Sequence, residues 1–345
     1  MEQDEPRDVT AVVFSLVVPV HNEADGLETF HARLRDAADG LGEPYEIIYV
    51  NDGSTDGSLE IIRRLQAEDD RIKYIDLSRN FGHQEALTAG YDFARGAAVI
   101  TLDADGQHPT DVIAELARRW RQGYEVVYTV KKADPNVSAL RRLAVRSVYG
   151  LIRWLSGMDV TDQADFRLLD RKVVEALRRT RERARFLRGL VRWLGFRQVA
   201  VEYEPAPRLA GAPSYTSAKL ARMGSAGVFN FSVMPLRCIG LLGGAMAGGA
   251  IVYAVVALLC WPFLGGSVLA NLVALAVGLT GLVLGSLGLV GEYIGRIYEE
   301  AKDRPIYIVR EAAGFEAEPA PAERAAEEPV RSARPSEPSQ IRLFT

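Results

Sequence analysis

The sequence predicts an α/β protein with a mainly parallel sheet, followed by two long apolar segments. Three observations lead there. Short β-rich apolar runs alternate with helical patterns over residues 12–129. Polar clusters follow four of those runs. Residues 238–264 and 268–291 carry no charge. Alternating strand and helix patterns imply parallel strands with helices on both faces. Ligands of such sheets bind beyond the C-terminal ends of the strands.

The elements follow in order. Residues 1–11 are polar and acidic, so they read as a flexible start and not as a secretory signal. The first apolar run, 12–20, leads into Pro19-Val-His-Asn22-Glu23, and a helix fits 25–39. The second, 45–50, leads into Asn51-Asp52-Gly-Ser-Thr-Asp56, a cluster of turn formers, before a helix at 57–68. The third, 72–77, is followed by Ser78-Arg-Asn80 and a helix at 83–95. The fourth, 98–102, delivers Asp103-Ala-Asp105-Gly-Gln107-His-Pro109, and Pro109 stops it. A helix at 111–121 and a run at 126–130 complete a core of residues 12–136.

Residues 137–235 form the next region. Stretches 138–156 and 186–194 set Leu and Ala on one side and Arg on another, with Trp154 and Trp193 among them. Such helices suit a membrane interface, or lie on their own sheet with a solvated basic face. Each uncharged segment exceeds the ~20 residues a spanning helix needs. Gly265-Gly-Ser267 separates them, which makes residues 236–298 a tight two-helix hairpin. Arg237 precedes it, and Arg296, Lys302 and Arg304 follow, so both termini and the sheet domain face the cytoplasm. Gly244-xxx-Gly248 and Gly281-xxx-Gly285 allow close helix approach, within one chain or in a homo-oligomer. Residues 299–310 read as a juxtamembrane segment. Residues 311–345, rich in Ala, Glu and Pro, read as a disordered tail.

Charge divides the chain. Residues 1–136 carry 14 Lys/Arg against 26 Asp/Glu, and residues 137–222 carry 18 against 8. The basic middle points to an anionic partner, phosphate or a lipid bilayer. Nucleic acid is disfavoured, because this region leads straight into the membrane segments. If one helix carries both cysteines, Cys238 and Cys260, they lie roughly 33 Å apart at 1.5 Å per residue, too far for a disulfide.

The densest chemistry is Asp103-Ala-Asp105. Residues i and i+2 of a strand point the same way, so both carboxylates can face one ion. Hard oxygen ligands suit Mg2+ or Mn2+, which keep waters and bind substrate phosphates. Asp-x-Asp alone is a weak signal, and the plain alternative is a polar turn after a buried strand. Its company decides. Pro19-Val-His-Asn22-Glu23, the Asn51–Asp56 cluster, Ser78-Arg-Asn-Phe-Gly-His-Gln-Glu-Ala-Leu-Thr-Ala-Gly90, the Asp103/Asp105 pair and Gln163-Ala-Asp165-Phe-Arg167-Leu occur in one order. Together they resemble the inverting family-2 glycosyltransferases. With two C-terminal spans, the chain is similar to the polyprenyl-phosphate branch, which includes bactoprenol glucosyltransferases and dolichol-phosphate mannose synthases. The resemblance runs from about residue 12 to 305.

The resemblance implies a GT-A, Rossmann-like sheet with amphipathic interface helices and a transmembrane hairpin. It implies transfer of a sugar from a nucleotide-sugar, UDP favoured over GDP, to polyprenyl phosphate at the inner face of a cell membrane. Pro19, Asn22, Glu23, Asp52 and Asp103 would line the donor. Asp103, Asp105 and Gln107 would hold Mg2+ or Mn2+. Asp105 and Asp165 would be catalytic, with Asp165 facing sugar and acceptor. Arg208, Ser214, Lys219 and Arg167 would meet the acceptor phosphate. Arg167 has other readings, fixing Asp165 or bridging two carboxylates. The family pattern is broken at Ala212, where Glu is usual, and at Pro213 and Tyr215. His83 replaces a common Lys, exchanging a fixed charge for one that depends on pH.

Two rival functions share parts of this pattern. A processive polysaccharide synthase carries Gln-x-x-Arg-Trp, but Gly189 and Gly150 stand where that Gln belongs before Arg192-Trp193 and Arg153-Trp154. A non-catalytic membrane adaptor would have no need to keep Asp103, Asp105, Gln107 and Asp165 together.

Overall fold

The computed structural model describes residues 12–132, 163–183, 185–206, 234–259 and 267–315. An eight-stranded mixed sheet organises them, in the order β7-β5-β6-β4-β1-β2-β3-β8. The strands are β1 (Phe14–Val20), β2 (Tyr45–Asn51), β3 (Ile72–Leu77), β4 (Ala98–Thr101), β5 (Val126–Lys131), β6 (Gln163–Asp170), β7 (Gln198–Tyr203) and β8 (Val309–Ala313). β1 is buried at every residue and pairs in parallel with β2 and β4, while β2 pairs in parallel with β3. β6 and β8 run antiparallel to their neighbours. A fully buried parallel strand reads as an unbroken apolar run, which Phe-Ser-Leu-Val-Val-Pro-Val nearly is. Pro19 costs β1 no ladder bond. Val17 turns its carbonyl toward β4 and accepts from Leu102 N–H. Pro19, two residues on, faces the same side beyond the last β1–β4 pair, Val17 with Thr101.

Helices α1 (Ala24–Asp39), α2 (Ser58–Glu68), α3 (His83–Phe93) and α4 (Val112–Arg121) connect the parallel strands. They match the expected ranges to within two residues. α3 lies tight on β1, since a Cβ at Gly90 would sit 2.1 Å from Val17 Cγ1. α5 (Arg171–Arg179) and α6 (Leu187–Trp193) come from the basic region. There Arg178 donates to the carbonyls of Tyr91, Asp92 and Ala94 at the C-terminal end of α3, and Arg171 adds a bond to Ala94 O. Cations belong at that end of a helix. Arg181 pairs with Asp92 through two bonds. Part of the basic surplus is thus spent inside the protein.

The apolar side of α6 is also spent inside. Leu187, Leu190 and Val191 are buried, so the interface helix expected at 186–194 packs on the domain, and Trp193 stays 65% exposed. The other expected interface stretch, 138–156, lies outside the described residues.

Two apolar helices follow, α7 (Met234–Leu259) and α8 (Ser267–Ala301), and they touch each other. One of them is long and apolar enough to cross a membrane, over Asn271–Ala301 with a mean hydropathy of 2.2. Leu241, Ile251, Leu284 and Ile297 are each more than 60% exposed. The expected connection through Gly265 and Gly266 is outside the described residues. β8 was not expected. Three of its residues, 311–313, belong to the segment read as tail, yet they pair with β3. Gly314 closes the first of two units and Phe315, the last described residue, begins the second.

Candidate active site

The parallel order β4-β1-β2-β3 places a topological switch between β4 and β1, since β1 leads on to β2 and β4 leads on to β5 in opposite directions along the sheet. A crevice forms at the C-terminal strand ends beside such a switch. The four polar clusters meet there.

On the β1–β2–β3 side the loops are tied to one another. Asn22 adopts φ 57°, a left-handed conformation that Asn tolerates. Its side-chain oxygen accepts Thr55 N–H at 2.8 Å, and its own N–H donates to Ser54 Oγ at 3.1 Å. His21 Nδ1 donates to Asp52 O at 2.8 Å, since a carbonyl only accepts. Asp52 is 4% exposed, and its two carboxylate oxygens accept Phe81 N–H at 2.7 Å and Gly82 N–H at 3.0 Å. Gly53 has φ 62°, and a Cβ there would lie 2.4 Å from Asn80 N. Only glycine lets these loops approach so closely. Pro19 is buried in β1 and shapes the strand end. Glu23 immediately precedes α1, with its N–H on Ser58 Oγ at 3.0 Å.

On the β4–β6 side the charged groups gather. Thr101 pairs with Arg167 across β4 and β6, and Thr101 Oγ1 donates to Asp165 O at 2.6 Å. This register brings Asp165 beside Asp103 although 62 residues separate them in sequence. His83, at the first position of α3, stands between them, with Nε2 3.5 Å from Asp103 Oδ1 and 3.6 Å from Asp165 Oδ2. Arg188 of α6 clamps Asp165 bidentately, at 3.0 Å from Nε to Oδ1 and 2.7 Å from Nη2 to Oδ2. Burial acts against ionising Asp165, but Arg188, His83 and Arg167 hold its carboxyl well below the usual range. Burial likewise lowers His83, yet Asp103 and Asp165 outweigh it and raise the imidazole to about 9.

Arg167 is 1% exposed and donates from Nη2 to Asp165 Oδ1 at 3.0 Å and to Ala164 O at 3.1 Å. It therefore fixes Asp165, one of the readings its sequence allowed, while its Nη1 is buried without a hydrogen-bond partner. The other acceptor residues, Arg208, Ser214 and Lys219, lie outside the described residues.

The Asp103–Gln107 loop is set by its own backbone. Gln107 N–H donates to Asp105 Oδ1 at 3.0 Å, and Gln107 O accepts Ala206 N–H at 3.1 Å. Asp103 N–H donates to His108 Nδ1 at 3.0 Å. His108 stacks on Phe166 with ring centres 5.0 Å apart and meets Tyr203 edge-on at 5.9 Å. Among the described residues, no three His, Cys, Asp or Glu side chains form a ready metal cage. Two carboxylates do suit Mg2+ or Mn2+, which take one or two such ligands plus waters and phosphates. Tyr203 lies beside these carboxylates. Its hydroxyl is buried without a hydrogen-bond partner, and burial, Asp103 and Asp105 push its pKa up to about 12. An orphaned buried donor beside two carboxylates calls for an acceptor.

Sequence reasoning missed Arg188, His108 and Tyr203 as site residues. His108 adjoins the Asp-x-Asp loop and could have been found there. Arg188 was hidden inside a stretch read only as an amphipathic helix, and nothing local marks Tyr203.

Comparison with known proteins agrees with the geometry. The model of glycosyl transferase family 2 matches residues 15–178. The chain is 41% identical over 308 residues to the "uncharacterized glycosyltransferase YkcC" of Bacillus subtilis (strain 168), covering 88% of this chain and 95% of that one. It is 34% identical over 306 residues to the prophage-derived bactoprenol glucosyl transferase of Shigella flexneri, covering 86% and 97%. Among solved structures, mannosyl-3-phosphoglycerate synthase from Rubrobacter xylanophilus is similar at 16% identity and a TM-score of 0.44, over 63% of this chain and 72% of that one. The mainly parallel sheet is of the GT-A type, and the chain belongs to glycosyl transferase family 2.

Proposed function

We propose that the protein is a membrane-bound inverting glycosyltransferase that moves a hexose, glucose first among candidates, from a UDP-sugar to polyprenyl phosphate. The observation that carries this reading is the shared location of two features. β8 runs antiparallel to β3 and starts opposite Leu77, so α8 reaches the sheet at the end that holds Asp52, Asp103 and Asp165. A lipid-borne acceptor arriving along α8 would meet the charged cluster directly. The exposed apolar faces of α7 and α8 support burial in a bilayer as a hairpin. The basic residues Arg296, Lys302 and Arg304 favour a cytoplasmic sheet domain. The name of the bactoprenol glucosyl transferase relatives supports a glucosyl group and a bactoprenol-type acceptor.

The residues divide the work. Asn22, Glu23 and Asp52, on the frame that includes Pro19, form the nucleoside side. Asp103 and Asp105, with the Gln107 amide, are the ligands for Mg2+ or Mn2+. Charge neutralisation on the departing diphosphate is what such an ion supplies. An acceptor phosphate oxygen bonds to the anomeric carbon while the bond from that carbon to the diphosphate oxygen breaks on the opposite face. A phosphomonoester's second pKa is about 6, so the attacking oxygen is mostly deprotonated at pH 7. A general base works best with a pKa near the operating pH. Asp165, held far below that, serves by orienting the sugar and by facing positive charge that develops on it. Arg208, Ser214 and Lys219 are the proposed grip on the lipid phosphate.

The test is a screen of nucleotide-sugars with the purified full-length protein, undecaprenyl phosphate and Mn2+ or Mg2+, read by product mass. A lipid product heavier by one hexosyl group is expected with UDP-glucose. Products formed only from GDP-sugars would overturn the donor, and absence of any sugar-bearing lipid would overturn the acceptor.

A further inference from the structure

Asp76 ends the apolar part of β3 with no solvent exposure. A buried carboxylate must be neutralised or fully hydrogen-bonded. Asn51 Nδ2 donates to Asp76 Oδ1 at 2.7 Å. The countercharge comes from far along the chain: Arg310 Nη1 lies 3.2 Å from Asp76 Oδ2. Arg310 sits on β8, beyond the apolar helix α8. Its Nη2 also donates to Ser78 O at 2.5 Å, and Ser78 N–H donates to Ile308 O at 2.9 Å. One guanidinium therefore grips both Asp76 and Ser78 at the end of β3.

Two short paths lead from there to the nucleoside side. Asn51, held by Asp76, accepts Ser54 N–H at 3.3 Å, and Ser54 Oγ accepts Asn22 N–H at 3.1 Å. Ser78 opens the turn whose Phe81 and Gly82 N–H groups hold the Asp52 carboxylate. We propose that Arg310 is a positioning residue for nucleotide-sugar binding, acting from the strand after the membrane helix through Asp76 and Ser78. The proposal rests on the reading of these strand ends as the nucleotide site. Without Arg310, Asp76 is a buried charge with no cation among the described ion pairs, and its hold on Asn51 is disturbed. That disturbance loosens the frame around Asn22 and Asp52. The same segment has other anchors that bypass this frame. Tyr307 OH donates to Asp92 Oδ2 at 2.8 Å, and Tyr74 OH donates to Glu311 Oε1 at 2.7 Å.

The test uses full-length protein in detergent, with UDP and Mn2+ titrated by calorimetry and donor and acceptor KM measured separately. Arg310 is 57% exposed, so the expected loss sits at the low end for a charged hydrogen bond, about tenfold in UDP affinity and donor KM. kcat and acceptor KM should hold within about threefold. Adding Asp76→Asn to Arg310→Ala removes the stranded charge and keeps an acceptor for Asn51, so UDP affinity should return to within about threefold of wild type. Tyr307→Phe, which cuts another anchor of the same segment, should leave UDP affinity within about twofold. Unchanged UDP binding in Arg310→Ala would overturn the proposal. So would an equal loss in Tyr307→Phe, or no recovery in the double variant. Wild-type protein that binds neither UDP nor GDP would overturn the nucleotide reading itself, and this proposal with it.

Discussion

Replacing Arg188 by Ala removes the larger part of the clamp on Asp165. Two charged hydrogen bonds are lost, at 3.0 and 2.7 Å. Breaking a buried ion pair from one side costs about 3–5 kcal/mol when the remaining charge has no other partner. Asp165 keeps Arg167 at 3.0 Å and His83 at 3.6 Å, so the loss is smaller, about 2–3 kcal/mol. At about 1.4 kcal/mol per decade, transfer should fall about 30- to 150-fold in kcat/KM. Donor binding should hold, because the Asn22 and Asp52 side chains are held by Thr55, Phe81 and Gly82. Arg188→Lys keeps a charge but not the planar fork, and should fall between the two. The assay is sugar transfer to polyprenyl phosphate, with UDP titration and thermal melting as controls. Transfer by Arg188→Ala within about threefold of wild type, in a protein that melts normally, would refute the claim that Asp165 works in its clamped, ionised form.

Three further outcomes follow from the same geometry. Asp105→Asn should nearly abolish transfer even with excess Mn2+ or Mg2+, and activity within about threefold of wild type would reject the metal assignment. Gly53→Ala combines a positive φ with a Cβ against Asn80 N, and should cost at least about 2 kcal/mol of stability and weaken UDP binding; an unchanged melting point would refute it. His31 is buried beside Tyr49 OH at 2.9 Å, and burial, with Arg35, lowers its pKa from 6.5. The unfolded chain therefore binds the extra proton first, so the contribution of neutral His31 is full above about pH 6.5 and is lost as pH falls through the lower folded value. Melting should drop between pH 7.5 and pH 5, and His31→Gln should flatten that drop; an identical pH profile in the variant would count against it.

How much was legible in the sequence depends on where the determinants lie. β1 to β5 and the four helices between them were readable, because each strand is a local apolar run bounded by turn formers. β6 escaped because Gln-Ala-Asp-Phe-Arg-Leu-Leu-Asp carries charges at its middle and end, and those charges are the site. β8 escaped because Val-Arg-Glu-Ala-Ala resembles the tail that follows it; only the free edge of β3, more than 230 residues earlier, makes it a strand. Asp103 and Asp105 could be placed at a strand end from spacing alone. The meeting of Asp103 and Asp165 at His83, and of Asp165 with Arg188, required the antiparallel register of β6 and the packing of α6, and neither is written locally. Arg167 kept several readings for a related reason. Strand alternation puts it on the same side as Asp165, and only the folded strand shows that its guanidinium reaches that carboxylate.

The central claim is a single displacement at the anomeric carbon by a lipid phosphate. It is tested most directly by the stereochemistry of the product. UDP-glucose carries its glucose with the α configuration, so wild-type protein with undecaprenyl phosphate should yield β-glucosyl phospholipid, read from the anomeric proton coupling by NMR. An α-linked product would contradict the one-step displacement, and UDP with free glucose as the only products would contradict the lipid acceptor.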